Sequence, residues 1–255
     1  MVPAAAEPSR CVLELTTLNE HRYIFNMPRA QLTSNELDSM RERLATTALD
    51  IYRREGLDAV SFRRIAEAAG ISHTLPYRYF ENKDALLARL RTDAVHRFEA
   101  YVRQREAGYA RPLERIRAVT LAYVDYVRRW PADYLLIFAT HQPPPDQFRE
   151  LLAARRSLFE HAVEAVQQSL DQGVVQLSKG TTARQLTHTV WVSLHGLMTL
   201  HVANQLVHGC DLEELVQPLV DRLLGTTAAI PSPRGRAASA PRRAPKTTAP
   251  KRKTG

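Results

Sequence analysis

The stretch from Ser61 to Leu86, SFRRIAEAAGISHTLPYRYFENKDAL, constrains the fold more than any other part of the chain. Ser61 stands before the short helical run FRRIAEAAG and can cap it with its hydroxyl. Gly70 closes that run, as a residue free to adopt a left-handed backbone does. Ser72 is placed to cap a second short helix, and a third and longer one starts at Asn82. Two short helices joined through AAGIS predict a helix-turn-helix, with Ile65, Ala66 and Ile71 locking them together. Pro76 lies inside the second short helix, where it removes an N–H and restricts Leu75, so its first turn should be tight or distorted.

The rest of the chain has the same period. Thr33 and Glu36 are spaced as a capping box. Leu37, Met40, Leu44, Ala48, Ile51 and Tyr52 follow at three- and four-residue steps until Gly56. Further helices are predicted at 82–106, 112–130, 132–140, 147–172, 182–207 and 211–224, bounded by Gly108, Pro112, Pro131 and the loop QPPPD. No segment alternates as a strand does, so the fold class is all-α.

The second short helix carries unusual side chains for a surface. A helix of this length suits the major groove, its first residues toward base edges. His73 and Thr74 lie at that start, with Tyr77 and Arg78 one turn on. Ser61, Arg63 and Ser72 supply hydroxyl, cationic and backbone groups able to hold phosphate. Lys83 opposes the dipole of the helix it begins, a penalty that a docked phosphate would reverse. Tyr79 and Phe80 read as packing residues. Together these candidates point to double-stranded DNA as a partner.

These linked features resemble the DNA-binding domain of the TetR family of transcriptional regulators over residues 34 to 90, most specifically in YRYFENKDALL. Pro76 departs from the usual aliphatic residue there. The resemblance implies a domain at 33–81 that reads DNA, followed by a helical domain at 82–225 that binds an effector and dimerises. YVDYVRRWPADYLLIFA and VWVSLHGLMTL resemble the subgroup whose effector domain is marked by a Trp, a His-Gly pair and a Pro-x-x-Tyr turn, here Trp191, His195, Gly196, Pro131 and Tyr134. Tyr123, Tyr126, Tyr134, Phe138, Phe159, Trp191, His195 and Met198 are the expected lining of an apolar cavity for a small molecule, itself largely apolar or aromatic. The apolar faces of the last two helices, with Leu197, Leu212, Leu215, Val216, Leu219 and Leu223, are expected to pair with a second copy. Gly196 is expected to admit a close helix. A homodimeric, ligand-responsive regulator follows as the expected function, most often a repressor in this family.

Composition narrows the alternatives. Eight of the 35 Lys and Arg lie in 226–255 with no acid, which leaves 27 bases against 27 acids in the remainder. The net charge of +8 therefore belongs to a Pro-, Ala- and Thr-rich tail expected to be disordered. Such a tail can add salt-dependent affinity for any DNA, and an architectural DNA-binding protein is the first rival reading. The second, a helical enzyme, finds no HExxH, no glycine-rich phosphate loop and no nucleophile motif. No metal or cofactor is expected: Cys11 and Cys210 lack ligand spacing. No run is apolar enough for a membrane span and none reads as a secretory signal, so the expected location is the cytoplasm. Residues 1–32 have no clear period and read as a disordered arm or as an over-long start preceding Met27.

Overall fold

The computed structural model describes residues 33–139, 141–144, 146–175 and 180–224. The expected arm at 1–32 and basic tail at 226–255 lie outside the described residues. Among the described residues there are eight α-helices and no strand.

The first helix, α1 (Ser34–Glu55), begins with the expected capping box. Thr33 Oγ1 accepts the Glu36 N–H at 3.3 Å, and Glu36 Oε2 accepts the Thr33 N–H at 2.8 Å. Leu44, Ala48, Ile51 and Tyr52 are buried along one face. The next, α2 (Phe62–Ala69), is capped by Ser61, whose hydroxyl accepts the Arg64 N–H at 3.3 Å. Gly70, at φ +65°, ends it and lets the Ile71 N–H reach back to the Ala66 carbonyl at 3.0 Å.

The following segment departs from expectation. The sequence predicts a short helix capped by Ser72, but only one 3₁₀ turn forms, Pro76–Arg78. Ser72 Oγ takes the Thr74 N–H at 3.4 Å and starts no helix. Tight turns precede and follow it: Leu75 N–H to Ser72 O, Arg78 N–H to Leu75 O and Tyr79 N–H to Pro76 O, each 3.0 Å. The cause is Pro76, whose ring nitrogen has no hydrogen to return to the Ser72 carbonyl. Without that bond the i→i−4 ladder cannot begin there. Pro76, Tyr79 and Phe80 are buried and pin the turn to the core.

Asn82 Oδ1 accepts the Ala85 N–H at 2.8 Å and starts α3 (Lys83–Glu106). This helix is shared by both halves of the molecule: it packs against α1 and also against the helices that follow. Those are α4 (Pro112–Arg129), with proline in its first turn, then the single turn α5 (Pro131–Tyr134), then α6 (Arg149–Asp171), α7 (Ala183–Val202) and α8 (Leu212–Leu223). α5 runs directly into a π-helix, Leu135–Ala139. α7 stops short of the predicted Val207, because Asn204 turns the chain with φ +55°. Helices α3, α4, α6 and α7 enclose a common interior, and α8 lies over α4 and α7.

Candidate functional site

The sequence-predicted DNA contacts share one exposed region. Arg63, Ser72, His73, Thr74, Tyr77, Arg78 and Lys83 are all exposed, and Ser61 is half-buried at the α2 start. Tyr77 keeps 64% of its surface exposed while its ring meets the edge of Phe62 at 4.7 Å. That contact ties the 3₁₀ turn to α2. Lys83 Nζ donates to the Leu57 carbonyl at 3.3 Å, which sets its ammonium beside the loop leading into α2. Arg63 faces Glu67 at 3.6 Å, a solvated pair, while Arg64 forms an ion pair with Glu55 at 2.9 Å. Arg78 forms no ion pair with a described carboxylate. Hydroxyls, cations and an aromatic edge thus converge without a compensating acid at the turn itself, the chemistry that phosphate oxygens and base edges accept.

The second feature is a cavity of about 480 Å³ between α3, α4, the π-helix, α6 and α7. Tyr123, Phe138, Phe159, Trp191 and His195 line it, as the sequence predicts. Tyr126, Tyr134 and Met198 do not. Tyr126 points its hydroxyl at Asp133 Oδ2, 3.3 Å away, with its ring on Phe98. Tyr134 is a strut between α5 and α7, its hydroxyl 2.8 Å from Thr199 Oγ1 and 3.1 Å from His195 Nδ1. Met198 is fully buried in the core behind the wall. Each shares or adjoins an element with true lining residues but is rotated away from the cavity.

His195 is held as a neutral ring. Burial pushes its pKa below the ordinary histidine value. The Tyr123 hydroxyl lies 3.2 Å from the same Nδ1, and burial raises the pKa of both tyrosines. Donation of a tyrosine proton to Nδ1 places the ring hydrogen on Nε2. His195 is one of several polar groups in the cavity lining.

Six polar lining residues went unforeseen: Thr120, Gln142, Arg155, His161, Thr187 and His188. Arg155 donates to Gln142 Oε1. Its periodicity was readable, since Leu151, Arg155, Leu158, Phe159, Ala162 and Val166 follow one face of α6. His161 is buried with Nε2 2.5 Å from Glu106 Oε1, a close contact that is not an aligned hydrogen bond. Among the described residues no cluster of side chains could hold a metal ion, and no helix is long and apolar enough to cross a membrane.

Asp133 joins the two features. It is 1% exposed, yet it carries a carboxylate. Arg53 of α1 donates to its Oδ1 at 2.8 Å and Arg97 of α3 to its Oδ2 at 2.8 Å. Beside it the Tyr52 hydroxyl donates to the Ala132 carbonyl at 2.8 Å. The chain then continues into Ile137 and Phe138 of the cavity wall. α5 is thus tied on one side to the helix supporting the DNA-facing segment and on the other to the cavity.

The expected pairing face needs correction. Leu197, Leu212 and Val216 are buried within the chain's own core, at 9%, 4% and 8% exposure. Leu215, Leu219 and Leu223 are half-buried. The outward face of α7 instead presents Val192 and Leu200, 61% and 47% exposed, with Gly196 between them. A Cβ on Gly196 would meet nothing within 4 Å, so this glycine is not packed against another helix of its own chain.

Comparison with known proteins agrees with this layout. The family model described as bacterial regulatory proteins, tetR family, matches residues 44–90. A second, described as tetracyclin repressor-like, C-terminal domain, matches residues 116–223. No curated protein matches the sequence. Among solved structures, a protein of unknown function from Rhodococcus sp. RHA1 superposes with TM-score 0.65 at 22% identity, covering 78% of this chain and 97% of that one. The TetR-family regulator PfmR from Thermus thermophilus gives 0.53 at 18%, covering 76% and 97%. The regulator FadR from Bacillus subtilis, solved with stearoyl-CoA, gives 0.55 at 16%, covering 73% and 99%. At such identities the likeness is one of fold, and the two family models carry the assignment. The chain belongs to the TetR family of transcriptional regulators.

Proposed function

We propose that the protein is a homodimeric repressor that binds a palindromic operator and is released by a small molecule held in the cavity. The observation that carries this reading is the Asp133 junction, which links the cavity wall to α1 through Arg53 and to α3 through Arg97. A ligand seated against Phe138 bears on the π-helix, and with it on α5 and the base of the DNA-facing segment. Such a ligand shifts the equilibrium only by its difference in affinity for the two arrangements. The fold's likeness to FadR, a regulator solved with stearoyl-CoA, supports a ligand-holding role for the cavity.

The outward Val192–Gly196–Leu200 face supports dimerisation, because an apolar helix stripe open to solvent favours cover by a second copy. A two-fold pair presents two DNA-facing segments with half-sites roughly 34–36 Å apart or a multiple of that spacing. The protein acts where its DNA lies, in the cytoplasm.

The test is selection of bound fragments from random and genomic DNA at physiological salt. Enrichment of one palindrome is the expected result. Binding without sequence preference that fades as salt rises would replace this reading with that of a non-specific DNA-binding protein.

A further inference from the structure

The cavity has an electrical asymmetry that an apolar effector alone does not explain. Its lining includes Arg155 and no Asp or Glu. Among the described residues no carboxylate approaches Arg155 to ion-pairing distance, and its neighbour there is the neutral side chain of Gln142. Gln142 is itself oriented, its amide donating to the Leu136 carbonyl at 3.3 Å. A guanidinium has five donors in a fixed planar fork, and one partner oxygen leaves the fork underused.

The surroundings sharpen the point. Arg91, buried at 3% exposure, donates to backbone carbonyls of Leu136 and His141 on the same side of the cavity. The two guanidiniums are close enough for the charge on Arg155 to push the Arg91 pKa down, after burial, and burial pushes down that of Arg155. Both arginines remain charged at any physiological pH. A half-buried cation without a carboxylate, beside a second cation, costs free energy. A ligand anion at the fork removes that cost. The lining also includes the aromatic rings of Phe138, Phe159, Trp191 and His195.

We infer that the effector is a monocarboxylate with an apolar or aromatic body, its carboxylate docked on the Arg155 guanidinium and its body against Trp191 and Phe159. This rests on the reading of the cavity as the effector site. Arg155 acts as a specificity residue: it selects the acid over the neutral molecule of equal size, through a charge-assisted bidentate contact.

The test uses matched pairs of probes, decanoic acid against decanol and naphthaleneacetic acid against naphthaleneethanol. Binding is read from Trp191 fluorescence in a W130F background, since the chain has two tryptophans and only Trp191 lines the cavity. At least one acid is expected to bind about tenfold or more tighter than its alcohol, the usual worth of a charged hydrogen bond. Arg155→Met is expected to erase that preference while leaving alcohol binding in place, and Arg155→Lys to keep part of it. Circular dichroism checks each variant's fold, and Arg155→Gln substitutes for Arg155→Met should the latter not fold. Equal binding of acids and alcohols overturns the inference but leaves the cavity as a ligand site. An acid preference that survives Arg155→Met assigns the anion to another group and also overturns it. No binding by any probe removes both the inference and the cavity reading beneath it.

Discussion

At the scale of single residues, the protein uses burial to fix protonation. His195 sits under Tyr123 and Tyr134 with its pKa lowered by desolvation. In the unfolded chain the same ring takes a proton below about 6.5. Between that value and the lower folded pKa, the unfolded state binds more protons, so stability falls as pH drops through this window. His195→Gln removes the titration. Thermal melts across roughly pH 5 to 8 should show the variant losing less stability toward acid than the wild type does. A parallel loss in both would place the acid sensitivity elsewhere. Residues of this kind were half-legible in the sequence. Trp191 and His195 share a helix face four apart, and both do line the cavity. Their partners were not legible, because Tyr134 reaches His195 from another helix.

At the scale of elements, α5 is the piece on which the proposed regulation would turn. It is one helical turn, too short to hold itself together, and it stays in place because Asp133 is gripped by Arg53 and Arg97. Arg53→Gln cuts the grip from α1 while leaving Asp133 its contacts with Arg97 and Tyr126. The expected variant folds and binds the operator, but ligand no longer weakens that binding fully, as seen by titrating a labelled operator with and without effector. Retention of the full wild-type ligand response would show that the signal travels along α3 instead. Removing Asp133 itself is a poorer probe, because it breaks both ion pairs and the Tyr126 contact at once. Helix ends were the most legible features here. Thr33, Ser61, Asp211 and Thr182 each accept a backbone N–H within the first turn of the helix that follows. The 3₁₀ turn at Pro76–Arg78 was legible only in part, since Pro76 announced a distortion without showing how little helix would remain.

At the scale of the whole molecule, the proposed dimer is expected to form on the open face of α7. Val192, Gly196 and Leu200 point away from the chain's own core. Val192→Arg places a charge on that face without touching the cavity. Sedimentation should report a monomer, and operator affinity should fall by roughly tenfold or more as the two DNA-facing segments lose their fixed spacing. A variant that stays dimeric would move the interface to the half-buried Leu215, Leu219 and Leu223 of α8. Here the sequence expectation included residues that the chain buries in its own core. Leu197, Leu212 and Val216 are as apolar as an interface requires, but the chain consumes them in its own core.

The sequence by itself determined that the chain is helical, where most helices begin, and which exposed residues gather between Ser61 and Lys83. Those features depend on groups within about four residues of each other, so neighbouring side chains encode them. Only the tertiary structure decided which aromatic residues face the cavity, that Arg155 enters it, that Asp133 binds two helices, and which face of α7 stays open. Each of these depends on the rotation of one helix against another. That rotation is set by the packing of all of them at once, not by the period of any single one.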